Sequence, residues 1–133
     1  MIKLFEDRHV LAQLGQPIGT SRWIDVPQQR ITDFGHITED PDLMHIDPAW
    51  AAEHSPYGKT IAFGFLTVSL LTRMANDVIQ RPGDEVSTLN YGFDRLRLLS
   101  PVMVARACAV LCHSASMAVK IFLRRRASDT NSE

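Results

Sequence analysis

The chain is short of most features that would tie it to the cell exterior, a membrane or nucleic acid. It holds 2 cysteines in 133 residues, too few for a disulfide framework or a thiolate metal cage. Cys108 and Cys112 stand four apart in a segment that reads as a strand, so both fall on one face and are expected to be small buried hydrophobes. Lys and Arg number 14 against 15 Asp and Glu, a formal charge of -1, which leaves no global field to draw the chain to nucleic acid or an acidic membrane. The longest apolar run, between Lys59 and Arg73, holds thirteen residues, where a spanning helix needs about 20. Met1 to Arg8 mixes acids with bases and offers no small-residue cleavage site, so no signal peptide is expected. A reducing cytoplasm is the expected setting, with neither membrane nor nucleic acid as partner.

What is present reads as one domain with a small core. A short amphipathic start (Leu4, Phe5, Val10, Leu11, Leu14) ends at Gly15-Gln16-Pro17-Ile18-Gly19, and Thr20–Val26 alternates like a short strand. Pro27, placed at a first helical position, opens a helix over 28–38 in which Ile31, Phe34 and Ile37 recur on one side, and Pro41 stops it. Asp47 and Pro48 predict an N-cap and first residue for a short helix over 49–53. From Ile61 to about Ile79 runs one long helix, apolar nearly all round its first turns and therefore in need of wrapping; Arg81-Pro82-Gly83-Asp84 closes it. Leu89–Leu98, Val104–Leu111 and Met117–Leu123 predict strands, with Ser100-Pro101 a turn. The sum is an α+β domain over 1–126, an antiparallel sheet wrapped on a long helix, with 127–133 a disordered tail.

The densest chemistry lies in Asp40-Pro41-Asp42-Leu43-Met44-His45-Ile46-Asp47-Pro48. A carboxylate and an imidazole five residues apart, in a proline-punctuated loop between helices, can converge on one small volume and pass protons near neutrality. On spacing alone the pair favours loop hydrogen bonds and caps. No histidines are spaced as a metal-ligand set.

The surrounding residues carry more. Thr38-Glu39-Asp40, His45-Ile46-Asp47-Pro48, Ala51-Ala52-Glu53 and the run from Ser55-Pro56-Tyr57-Gly58 through Ala62-Phe63-Gly64-Phe65-Leu66 to Leu71 resemble the hydratase motif of the MaoC-like dehydratases. These are (R)-specific enoyl-CoA hydratases of hotdog fold, and the likeness falls in their nodulation-protein-N-like branch. Asn90-Tyr91-Gly92, Arg95, Arg97 and Pro101-Val102 extend it, so that it spans about Gly19 to Val102.

The resemblance implies a hotdog fold, a curved antiparallel sheet around a central helix, and a homodimer joined sheet edge to sheet edge. It places Asp40 and His45 on the catalytic acid–base pair and Gly64 where a backbone N–H faces the thioester carbonyl. Ser69 falls where some members set a hydroxyl that steadies the aspartate; Met44, Tyr57 and Phe63 are expected at the substrate pocket, with core packing the favoured alternative for Met44. It implies hydration of a 2-enoyl thioester to the (R)-3-hydroxyacyl thioester, without metal or cofactor; coenzyme A enters as part of the acyl-CoA substrate, or acyl carrier protein carries the acyl group instead.

The sequence departs from the family pattern in three places. Phe63-Gly64 stands where His-Gly is usual, Glu39-Asp40 where Gly-Asp is usual, and from about residue 103 the likeness ends. Two other readings stay open. A hotdog thioesterase commonly carries a carboxylate on the central helix, and none lies between Ile61 and Met74. A catalytically silent acyl-binding or assembly member is favoured by Phe63 and the divergent C-terminal part. Trp23 and Trp50 read as core or interface anchors, Arg95 and Arg97 as a solvated face, and His36, His54, His9 and His113 as structural or surface histidines.

Overall fold

A computed structural model of the chain describes residues 2–3, 16–80, 89, 92–93, 95–113 and 120–124. Its elements are β1 (Ile2–Lys3), β2 (Pro17–Thr20), β3 (Ile24–Val26), α1 (Gln28–Ile37), α2 (Leu43–Ile46), α3 (Pro48–His54), α4 (Gly64–Ser69), α5 (Leu71–Val78), β4 (Ile79–Gln80), β5 (Arg106–His113) and β6 (Lys120–Arg124). The expected amphipathic start over 4–14, the closing Arg81–Asp84 turn and the tail over 127–133 lie outside the described residues.

β5 organises the sheet. β6 pairs antiparallel along one edge, from Ala107↔Arg124 to Leu111↔Lys120. β2 and β3 share the other edge, with Thr20↔Leu111 and Ile24↔Cys108 in register. Between those two pairs β5 spends two residues and the edge strand three, Ser21-Arg22-Trp23. That extra residue splits the strand expected over 20–26 into two, the usual effect of a bulge. A separate parallel pair joins β1 to β4.

α5 lays one face on β5 and β2. Leu71, Met74 and Val78 fall on that face, while Arg73 and Asp77 project away from it, the three-to-four spacing of an amphipathic helix. Val26, Ile31, Met74 and Cys108 are fully buried at the centre. Gly19 lets the helix end come close: a Cβ there would lie 2.7 Å from Val78 Cγ1.

The single long helix expected over 61–79 is broken. Ile61–Phe63 is extended, with Ile61 bridged to Met103 and the Ala62 N–H donating to the Val102 carbonyl at 2.7 Å. The helix starts at Gly64 and is interrupted at Leu70, between α4 and α5. Two hydroxyls account for the break, because Thr67 donates to the Gly64 carbonyl (2.6 Å) and Ser69 to the Leu66 carbonyl (2.7 Å). Such back-bonding competes with the backbone ladder and bends helices.

Two further expectations shift. Pro27 is the N-cap of α1 rather than its first residue. The strand expected over 89–98 does not form among its described residues, nor does Leu99 join one; Leu89 and Leu99 are 91% and 87% exposed. Alternation makes a strand only where a neighbour supplies a ladder, and none of the described strands pairs with these residues. The strand expected over 104–111 begins later, at Arg106, and that over 117–123 corresponds to β6.

Candidate functional site

Asp40 is delivered by the end of α1. The helix closes with the Asp40 N–H donating to the Gly35 carbonyl (2.9 Å) and the Glu39 N–H to the His36 carbonyl (3.3 Å), while Glu39 takes φ 57°. These are the two bonds and the left-handed residue of a Schellman stop. That position favours glycine, which explains the Gly-Asp of the family pattern; here Glu39 adopts it with a side chain in place. The Asp40 carboxylate faces solvent.

His45 is held by α2, a single turn capped by Asp42, whose carboxylate accepts from the Met44 N–H at 2.8 Å. Its Nδ1 sits 2.7 Å from the Ile61 carbonyl oxygen. A carbonyl only accepts, so Nδ1 carries the hydrogen and Nε2 is the nitrogen left bare on the neutral ring. Nε2 has no hydrogen-bond partner among the described residues. The imidazole lies on the Phe63 ring, centroids 3.9 Å apart, and Phe63 in turn meets Phe34 at 5.4 Å.

Gly35 is the floor beneath this stack. A Cβ on it would meet Phe63 Cζ at 3.0 Å, the Asp40 carbonyl oxygen at 3.1 Å and Ile46 Cγ2 at 3.1 Å. The backbone of Asp40 and the rings of Phe63 and His45 therefore converge on one patch. The Asp40 and His45 side chains are not bonded to each other, since neither forms an ion pair among the described residues.

Gly64 begins α4, which has no side-chain N-cap, and its N–H is one of the first-turn donors that no helical carbonyl reaches. Leu98 overlies it, so closely that a Cβ on Gly64 would collide with the Leu98 Cδ1. A cleft of about 370 Å³ opens here, with Tyr57, Ile61, Gly64, Thr67, Leu98 and Val102 in its lining. Of the residues expected at the site, the cleft takes in Tyr57 and Gly64; His45 joins it only through Ile61, and Asp40 lies outside its lining. Met44 is half-buried and its carbonyl accepts from the Ile61 N–H at 3.4 Å. Ser69 is exposed, gives its hydroxyl to Leu66 and makes no bond to Asp40.

Other side chains take structural places. Cys108 and Cys112 are buried and unbridged. Burial raises both thiols, Cys108 to about 11, which suits packing rather than nucleophilic chemistry. A second cleft, about 390 Å³, is lined by Arg22, Trp23, Arg30 and Arg73 among others and holds none of the expected site residues. Beside it Asp77 takes a hydrogen bond from Arg73 at 2.6 Å, which holds its carboxyl below the usual range. Among the described residues no three His, Cys, Asp or Glu side chains cluster as metal ligands, and no helix is long and apolar enough to cross a membrane.

Comparison with solved structures defines the class first. The chain superposes on the R-hydratase PhaJ1 of Pseudomonas aeruginosa with TM-score 0.68 and 23% identity, covering 84% of this chain and 72% of that one. The architecture is a hotdog fold of α+β class. The model of the MaoC-like domain matches residues 10–120, and the chain belongs to that family. Nodulation protein N of Rhizobium meliloti is 43% identical over 93 residues, 70% of this chain and 58% of that protein. The 3-hydroxyacyl-thioester dehydratase Z of Mycobacterium tuberculosis is 36% identical over 93 residues, 70% of this chain and 60% of that protein. The aligned part thus spans less than two thirds of these curated relatives.

Proposed function

We propose that this chain interconverts 2-enoyl and (R)-3-hydroxyacyl thioesters, with Asp40 and His45 as the acid–base pair and Gly64 as a carbonyl contact. The observation that carries the reading is the Nδ1–Ile61 hydrogen bond, which leaves His45 Nε2 as a free proton acceptor beside the segment that leads to Gly64. Hydration removes one proton from water, adds the resulting hydroxyl to Cβ, and returns a proton to Cα; dehydration reverses each step. In this reading Asp40 and His45 would hold one water between them, with Nε2 and the carboxylate sharing its protons. The uncapped N–H of Gly64 would steady negative charge as it builds on the thioester oxygen. Nothing in these steps calls on a metal or cofactor; coenzyme A or a carrier protein belongs to the substrate.

The pocket assignment of Met44, Tyr57 and Phe63 rests on their places around Ile61 and the cleft. A homodimer is part of the proposal, supported by Leu99 and by Phe65, 72% exposed, which a second copy would cover. A silent acyl-binding member is the second reading, favoured by Leu98 lying over Gly64. Incubation of the full chain with a short and a medium-chain 2-enoyl-CoA tests both. Formation of (R)-3-hydroxyacyl-CoA with no free thiol supports the hydratase. Thiol release points to a thioesterase, and binding without turnover to the silent member.

A further inference from the structure

The residues that hold His45 extend to one the acid–base chemistry does not use. Gln28, in the first turn of α1, is half-buried and reaches three other groups. Its Nε2 donates to the His45 backbone carbonyl at 2.8 Å and to Thr32 Oγ1 at 3.2 Å. Its Oε1 accepts from the Thr60 hydroxyl at 2.5 Å, and Thr60 is 1% exposed. The orientation of the amide is fixed by chemistry: the His45 carbonyl can only accept, so the nitrogen must face it and the oxygen is left for Thr60.

Thr60 precedes Ile61, whose carbonyl takes His45 Nδ1. One carboxamide therefore ties the backbone of His45 to the residue next to the one that orients its ring. The far side of the same short segment is pinned to residues 102–104, just ahead of β5, by Val104 N–H donating to the Thr60 carbonyl at 3.0 Å and Ala62 N–H to the Val102 carbonyl at 2.7 Å. The side facing α2 is held by the Ile61 N–H donating to the Met44 carbonyl at 3.4 Å and by the side chains of Gln28 and His45.

We infer that Gln28 is a positioning residue for His45, which through Thr60 sets the spacing between His45 and the Ile61 carbonyl and so holds the imidazole with Nδ1 protonated and Nε2 bare. Displacements of about 1 Å at a reacting group lower rates by roughly 10²-fold, so this role is visible in turnover as well as in the ring itself. It rests on the hydratase reading for its kinetic consequence and not for its structural one.

The test follows the ring nitrogens directly. In the ¹⁵N-labelled full chain, long-range ¹H–¹⁵N spectra above neutral pH report the tautomer of each histidine, and His45→Ala identifies the His45 signal. The parent should show His45 protonated on Nδ1. Gln28→Ala and Thr60→Val should each give a mixture of tautomers and lower kcat toward a short enoyl-CoA by about 10–100-fold, with KM within about two-fold. Thr60→Ser keeps the hydroxyl and should keep both parental values. Should Gln28→Ala fail to fold, the two Thr60 variants carry the comparison. A parental tautomer in Thr60→Val or Gln28→Ala would overturn the inference, even with reduced melting temperature, because a purely structural tie lowers stability without moving the proton. The spectra need no turnover, so a chain inactive toward enoyl thioesters would defeat the proposed reaction while still deciding the role of Gln28.

Discussion

Replacing Glu39 by glycine should stabilise the protein, although it removes a side chain at the end of a helix and adds no contact. Glu39 holds φ 57° as the left-handed residue that ends α1. For an L-residue this region costs about 1–2 kcal/mol relative to right-handed geometry. Glycine escapes that cost but gives back about 0.4–1 kcal/mol through the greater freedom of its unfolded chain. The net gain is ~0.5–1 kcal/mol, a rise in Tm of about 2–5 °C for a domain of this size. Urea denaturation should show a higher midpoint with an unchanged slope. Glu39→Ala supplies the control, for it loses the carboxylate and keeps the Cβ, and should stay within about 0.5 kcal/mol of the parent. A Glu39→Gly protein no more stable than Glu39→Ala would refute the reasoning, since only backbone geometry separates the two.

Three further outcomes follow from burial and charge. Gly35→Ala should destabilise by about 1–3 kcal/mol, because the new methyl meets Phe63, Asp40 and Ile46 at once; chemical denaturation measures it, and a neutral result would mean the floor under the His45–Phe63 stack is loose. Cys108 titrates at about 11 when folded against 9.0 for an ordinary thiol, so the unfolded state loses its proton first and stability should fall between those two pH values. The loss is ~2–3 kcal/mol, and Cys108→Ala should flatten that limb, whereas an identical alkaline slope in the variant would contradict it. Asp77 has a lowered folded pKa through Arg73; its contribution is present above pH about 4 and fades as pH falls through the folded value, so Asp77→Asn should flatten the acid limb of urea midpoints and added salt should weaken the effect.

How far the sequence carried depends on whether a signal was local. Asp47 and Pro48 were legible as cap and first helical residue because capping involves neighbours only, and Asp47 accepts from the Ala49 and Trp50 N–H groups as that spacing requires. The break at Leu70 was not legible from apolar periodicity, because the hydroxyls of Thr67 and Ser69 that cause it count for little in a hydrophobic pattern. Residues 89–98 alternate well enough to suggest a strand, yet alternation says nothing about whether a sheet edge is free to receive one.

The candidate site divides the same way. Asp40 and His45 stood out through their loop and through the family likeness, and Gly64 through that likeness alone. Nothing in the spacing pointed to Ile61 as the acceptor for His45, sixteen residues on, or to Gln28 and Thr60 behind it. The signal available was chemical: an amide in the first turn of an amphipathic helix and a threonine beside a run of core residues both need partners once buried. Ser69 was expected to meet the aspartate and instead satisfies its own helix, since a hydroxyl near a helix end finds the carbonyl one turn back before it finds a distant side chain.

The central claim is that one carboxylate and one imidazole work together on a single water. Steady-state hydration of a short 2-enoyl-CoA by the full chain, beside its Asp40→Asn and His45→Ala variants, tests this most directly. Each variant should lose about 10²–10⁴-fold in turnover while circular dichroism and melting stay near the parent. Parental turnover in either folded variant would contradict the account.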